Sequence, residues 1–202
     1  MDLARKLGRL KTPMDTTIEM LRSFNQLPEE LVALEIFGMY GLWHTRDYFP
    51  LCSYLEIYEW DKTYFKLLKM QYKNAVCIQA DSVLAINEHK LKKQSYNFIV
   101  ADNPMGDKYG DNYFEHFNFF ENMIGYTAKN GVIVLNFILS KTQYIDAESL
   151  EARRNFYGKE FPGIEEAVDA YREKIESVNR SLKAWHYIPR NNKIGYICLI
   201  IN

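Results

Sequence analysis

Ala33-Leu34-Glu35-Ile36-Phe37-Gly38-Met39-Tyr40-Gly41 is a short apolar run with one acid, Glu35, that breaks into a turn holding two glycines. An apolar run without alternation reads as a strand covered on both faces, the pattern of a central parallel strand. Gly38 and Gly41 permit a tight turn and a close approach of backbone to a nucleotide-like ligand. Glycines after a strand are also ordinary loop punctuation. The meaning of this turn therefore depends on the elements that succeed it at regular spacing.

Working outward, Thr12 to Asn25 opens with Pro13 and sets Met14, Ile18, Leu21 and Phe24 at helical intervals, which predicts an amphipathic helix ending before Pro28 and covering a sheet. The strand at Leu31 to Phe37 is followed by a short helix stopped near Pro50 and a second strand from Ser53 to Glu59. Asp61 to Tyr72 reads as a helix, Ala75 to Gln79 as a short strand ending at Asp81, and Tyr96 to Ala101 as another ending at Asp102. Tyr113 to Met123 is an aromatic helix candidate and Gly131 to Leu139 a buried strand. Lys183 to Ile188, the polar turn Arg190-Asn191-Asn192-Lys193, and Ile194 to Ile201 form a hairpin by pattern.

Glu59, Asp81 and Asp102 stand just past three successive strands, in steps of 22 and 21 positions. Each step has room for one helix and one strand. Right-handed crossovers would bring all three acids to the carboxyl edge of one parallel sheet beside the glycine turn, where open α/β sheets bind ligands. The competing reading of any one of them is a solvated loop acid.

The 202 residues carry 25 Lys and Arg against 26 Asp and Glu, so no global basic field favours nonspecific nucleic-acid binding, and a nucleic-acid partner would need a local patch. One domain spanning 1–202 is expected, because no linker, repeat or low-complexity tract divides the chain. Met1 to Lys11 is basic without the apolar core of a signal peptide, and no apolar run reaches membrane-spanning length; a cytoplasmic protein without membrane attachment is the expectation. Cys52, Cys77 and Cys198 are few, far apart and apolar in setting, as reduced core thiols are, and the four histidines show no ligand spacing, so no metal is expected.

Parallel units closed by an antiparallel hairpin, together with these motifs, resemble the class I S-adenosylmethionine-dependent methyltransferases. The resemblance runs from about Leu31 to Leu139 and resumes at the final hairpin. Leu34 to Gly41 is similar to the Leu-Asp-Leu-Phe-Ala-Gly-x-Gly form of the cofactor loop, with Met39 where that form has its middle glycine. The resemblance implies a Rossmann-like fold and S-adenosyl-L-methionine as cofactor, with Glu35, Phe37, Gly38 and Gly41 in its loop. It implies Glu59 on the ribose hydroxyls, Trp60 against the adenine face, and Asp81, with Ser82 beside it, on the adenine amino group. Trp60 reads equally well as a packing aromatic. Asp102-Asn103-Pro104-Met105-Gly106 resembles the Asp-Pro-Pro-Tyr-Gly motif of amino-group methyltransferases. That likeness implies Asp102 and the Asn103 carbonyl as acceptors of the substrate amine protons, Pro104 as the rigid element, and Met105 or Tyr109 against the target base; Tyr113 is an alternative to Tyr109.

The small ribosomal-RNA guanine-N2 methyltransferases are closest in pattern, which implies an RNA or DNA substrate. Unlike them, this chain inserts residues 140–181 before the hairpin. The stretch Arg153-Arg154-Asn155-Phe156-Tyr157-Gly158-Lys159 mixes basic and aromatic residues as a nucleic-acid contact would, yet Glu148, Glu151, Glu160, Glu165 and Glu166 accompany it, and a solvated helix pair is the favoured reading. Two alternatives to nucleobase methylation stay open. One is a methyltransferase-like binding or assembly module without activity, motivated by Met39 and Met105; the other is an enzyme acting on a small molecule or a protein.

Overall fold

The computed structural model describes residues 11–39, 41, 47–93, 95–102, 115–141 and 145–202. Helix α1, Pro13–Ser23, begins with a reciprocal cap: the Asp15 amide donates to Thr12 Oγ1 at 3.1 Å and the Thr12 amide to the Asp15 carboxylate at 3.0 Å. With Pro13 in the first turn, the donors that a helix start orphans are largely accounted for. Met14, Thr17, Ile18 and Leu21 form its buried face, whereas Phe24, expected on the same stripe, stands at the C-cap and is exposed.

Seven strands make one sheet: β1 Leu31–Glu35, β2 Cys52–Glu59, β3 Val76–Gln79, β4 Tyr96–Ala101, β5 Thr127–Ile138, β6 Leu182–Pro189 and β7 Ile194–Ile201, in the order β3-β2-β1-β4-β5-β7-β6. The first five are parallel, and β7 runs antiparallel between β5 and β6. Helix α2, Lys62–Gln71, joins α1 on one face of the sheet through Leu68. The other face is covered by α3 (Ser82–Asn87), α4 (Phe120–Gly125), α5 (Ala147–Tyr157) and α6 (Ile164–Ser177). This is the Rossmann-like architecture expected, a mostly parallel sheet with helices on both faces and a terminal antiparallel hairpin.

Three local expectations are corrected. Strand β1 stops at Glu35, two residues early: the Ile36 amide still donates to Val100 O at 3.0 Å, and the Gly38 amide then turns to Tyr58 O of β2 at 2.9 Å. Around Pro50 the described residues form a 3-10 turn, Phe49–Leu51, with Pro50 in its first positions, where the missing N–H is not needed; residues 42–46 lie outside the described residues. Of the aromatic helix expected from Tyr113, only Phe120–Gly125 is helical; residues 115–119 form turns, and Tyr113 lies outside the described residues.

The 140–181 segment supplies α5 and α6, and they are not merely solvated. Arg153 is 1% exposed; its Nη1 pairs with the buried Glu115 carboxylate, its Nη2 donates to Ile138 O at 2.7 Å and its Nε to Glu160 O. Phe156 and Tyr157 pack with Phe117, Phe120 and Tyr171, and the Tyr171 hydroxyl lies 2.8 Å from His116 Nε2. Arg154 and Lys159 pair with Glu160 and Glu166. Arg153, Phe156 and Tyr157 are thus spent inside the protein, while Arg154 and Lys159 stay at the surface in ion pairs with glutamates. Burial holds Glu115 up at about 7 against the pull of Arg153, and it pushes His116 down to about 3.

Removing one partner of such a pair leaves an uncompensated buried group. Arg153→Ala is expected to cost about 3–5 kcal/mol, read as a lowered urea midpoint, and Arg153→Met with Glu115→Leu should recover most of it. A single variant within about 0.5 kcal/mol of wild type would show that the pair does not anchor the helical segment.

Candidate functional site at the carboxyl edge of the sheet

Parallel registers fix where the acids stand. Glu35 pairs across the sheet with Ile57 and with Val100, so Glu59 and Asp102 each project two residues beyond it; Glu59 pairs with Gln79, placing Asp81 two residues further. The structure brings Glu35, Glu59, Asp81 and Asp102 to one edge, with the glycine turn among them. Because side chains alternate along a strand, Glu35, Asp102 and the β5 residue Asn136 share one face, the face covered by α1.

The turn itself is built by packing. A Cβ on Gly38 would lie 2.5 Å from Ile57 Cγ2 and 3.0 Å from Tyr58 O, while the Gly38 amide donates to that same carbonyl at 2.9 Å. Gly41 has φ +66°, and the Tyr72 ring occupies the position of its missing Cβ; the Tyr72 hydroxyl donates to Gly41 O at 2.7 Å. Both glycines are therefore required by β2 and α2. Met39, where a glycine was the pattern, takes φ 44° and accommodates the left-handed conformation without one. Phe37 packs edge-on to Phe119, centroids 6.0 Å apart, and helps close the opposite face.

Glu59 is 6% exposed and accepts the Asp61 amide at 2.7 Å; the Met39 and Trp60 amides also stabilise its charged form. Burial nevertheless pushes it up to about 7. A carboxylate has about four acceptor sites, so this one retains room for about one further donor rather than two ribose hydroxyls. The carboxylate thereby ties the glycine turn to the end of β2. Trp60 is 56% exposed, an open indole face beside Glu59. Asp81 caps α3 by accepting the Leu84 amide at 3.0 Å, and Ser82 is buried in its first turn.

Asp102 is held by residues whose sequence pattern did not mark them. Arg190 Nη1 lies 2.5 Å from its Oδ1, and the Tyr196 hydroxyl donates to its Oδ2 at 2.7 Å. Arg190 Nη1 also donates to Asn136 Oδ1 at 3.1 Å, and the guanidinium sits 4.8 Å from the Tyr196 ring centroid. Asn136 and Tyr196 were visible as polar groups within apolar strands, and Arg190 as a turn residue, but nothing in their spacing linked them to Asp102. Asn103, Pro104, Met105 and Tyr109 lie outside the described residues.

Glu35 is wholly buried beneath this group. The hydroxyl of Tyr48, likewise unmarked in sequence, donates to its Oε2 at 2.9 Å, while Oε1 is buried and has no hydrogen-bond partner among the described residues. Burial first, then the Asp102 carboxylate, push Glu35 well above the usual carboxyl range, against the pull of Tyr48 and the Phe37 amide. An orphaned buried oxygen beneath the turn suits a cationic or N–H donor, and the exposed indole of Trp60 suits an aromatic base. The residues present fit S-adenosylmethionine, whose methionine part carries an ammonium and whose adenosine part a base. Among the described residues no group of three His, Cys, Asp or Glu could hold a metal ion, and no helix is long and apolar enough to cross a membrane.

No protein-family profile and no curated protein sequence matches the chain. Solved structures do. Trm5b from Pyrococcus abyssi superposes with a TM-score of 0.57 at 16% identity over 94% of this chain and 49% of its own, so the chain spans about half of that protein. TYW2 from M. jannaschii, solved in complex with AdoMet, gives 0.58 at 11% identity over 97% and 78%. The 1,6-didemethyltoxoflavin-N1-methyltransferase of Burkholderia thailandensis, solved with that compound and S-adenosylhomocysteine, gives 0.57 at 10% over 98% and 81%. The chain has the fold of the class I S-adenosylmethionine-dependent methyltransferases.

A carboxyl whose folded pKa is raised contributes fully below its ordinary pKa and loses that contribution as pH rises toward the folded value. Stability of the wild type should thus carry a downward term from Glu35 starting just above pH 4.5. Glu35→Gln, which resembles the protonated acid, should be shallower by up to about 1.4 kcal/mol per pH unit. Parallel slopes in urea titrations of the two proteins across this window would refute a protonated Glu35.

Proposed function

We propose that this chain binds S-adenosylmethionine at the carboxyl edge of its sheet and transfers the methyl group to an amino nitrogen, with a nucleobase of RNA or DNA as the favoured acceptor. The observation that carries the reading is the convergence of Glu35, Glu59, Asp81 and Asp102 on one edge around the turn after β1, within this sheet order. Glu35 Oε1 would meet the ammonium of the methionine part, Glu59 one ribose hydroxyl, Trp60 the adenine face and Asp81 its amino group. The cofactor supplies an electrophilic methyl on a sulfonium.

The remaining work belongs to the chain. An exocyclic amine on a base has a delocalised lone pair, so its protons must be accepted and its nitrogen aimed at the methyl, and positioning supplies much of the rate. Asp102 has about four acceptor sites, of which Arg190 and Tyr196 take one on each oxygen, leaving capacity for an amine proton. The Asn103 carbonyl and Pro104 complete the proposed acceptor loop, with Met105 or Tyr109 against the base. Among the structural neighbours an N1-methyltransferase supports a nitrogen acceptor by analogy of fold alone.

One observation favours a second reading, a donor-binding module without transfer: both oxygens of Asp102 are already engaged within the protein. Calorimetry with S-adenosylmethionine and S-adenosylhomocysteine, followed by labelled-methyl transfer to RNA, DNA and free nucleosides, separates the two. Glu59→Ala should weaken S-adenosylhomocysteine at least about tenfold, as loss of a charge-assisted hydrogen bond does. Asp102→Ala should lower transfer by about a hundredfold or more with donor affinity nearly unchanged. Absence of donor binding at millimolar concentration ends both readings; binding without transfer to any acceptor selects the second.

A further inference from the structure

The guanidinium of Arg190 is incompletely used. Its side chain is only 17% exposed, and its Nη1 is spent on Asp102 Oδ1 and Asn136 Oδ1. Nε and Nη2 have no partner among the described residues, while the Tyr196 ring lies against the guanidinium and the Arg190 amide donates to Ile194 O at 2.9 Å. In an arginine these two nitrogens form the side-on edge of the fork, the edge that takes a carboxylate or phosphate through two parallel charge-assisted bonds. With Nη1 held by Asp102 and Asn136, the remaining edge keeps one orientation at the carboxyl edge of the sheet, a preformed pair of donors for an oxyanion.

The hairpin turn that carries Arg190 also carries the exposed Lys193, whose carbonyl accepts the Leu139 amide at 2.7 Å; this joins the turn to the end of β5, two residues before the exposed Lys141. The three cations therefore rim the side of the carboxyl edge beside Asp102, away from Glu59 and Asp81, which sit toward the β3 border of the sheet. Donor-side acids and an acceptor-side cationic rim lie on opposite sides of β1.

We propose that the Nε–Nη2 edge of Arg190 is an oxyanion subsite that binds a phosphate or carboxylate group carried by the acceptor molecule, making Arg190 a specificity-determining residue. Its role as an acceptor subsite rests on the methyl-transfer reading of this edge; the anion site itself does not. Asp102 orients the fork by holding Nη1, and Asn136 fixes the same nitrogen from β5, so the binding edge is presented without rearrangement.

The test monitors the arginine Nε–H resonances of the ¹⁵N-labelled full chain by NMR, titrated with inorganic phosphate, phenyl phosphate or acetate at constant ionic strength. One Nε–H signal, assigned by its loss in Arg190→Gln, should shift and saturate in the millimolar range. Arg190→Lys keeps the charge and the Asp102 pairing but loses the fork, and should bind about tenfold more weakly. Asn136→Ala leaves the free edge intact and should still saturate. Stronger binding of phenyl phosphate than acetate assigns a phosphorylated acceptor; the reverse assigns a carboxylate. A linear, unsaturated response in the wild type, or equal saturation monitored on neighbouring amides in Arg190→Gln and Arg190→Lys, overturns the proposal. Phosphate saturation without any S-adenosylmethionine binding would keep the anion site and remove its link to methyl transfer, so the two failures remain distinct.

Discussion

Strand β1 is hydrogen-bonded along both edges, to β2 from Leu31–Cys52 through Glu35–Ile57 and to β4 from Ala33–Phe98 through Glu35–Val100, and that double register sets the position of every group in the site. Side chains in a strand alternate with a period of two, so a slip of one residue would exchange the two faces. It would carry Glu35 away from Tyr48 and Asp102 and place Leu34 or Ile36 over α1. Complete burial pushes the Glu35 carboxyl toward its neutral form, and one of its oxygens receives the Tyr48 hydroxyl.

The same register explains why the edge divides into two halves. Toward β3, Glu59 and Asp81 use part of their capacity on local backbone amides, which stiffens the turns they stand in. Toward β7, Asp102 is clamped by side chains from the terminal hairpin, which β7 brings back antiparallel beside β5. The hairpin is therefore part of the site as well as the end of the sheet. On the far face, the Arg153–Glu115 pair and its aromatic surround anchor the inserted helices to the end of β5 through Ile138 O.

Much of the architecture was legible in sequence because its signals are local. The apolar runs of β2, β4 and β7, the cap at Thr12 and the steps between Glu59, Asp81 and Asp102 depend on neighbours a few residues away. Boundaries were less so: the stop of β1 at Glu35 and the turns before Phe120 depend on what packs against them. Gly38 and Gly41 read in sequence as openings for a ligand, whereas Ile57, Leu68 and Tyr72 fill the space beside them. Arg153 and its aromatic neighbours read as part of a solvated helix pair, since nothing local to them announces Glu115 or the carbonyl of Ile138.

By itself the sequence determined the fold class, the order of its elements and the set of acids at one edge, because hydrophobic period, capping and strand-end spacing are carried within short windows. Only the tertiary structure decided what those acids do. The partners of Asp102 come from residues 88 and 94 positions away, and those of Glu35 and Gly41 from Tyr48 and Tyr72. Hydrogen-bond capacity is divided between protein and ligand by geometry, and geometry across a sheet is set by chain crossings that no local pattern records.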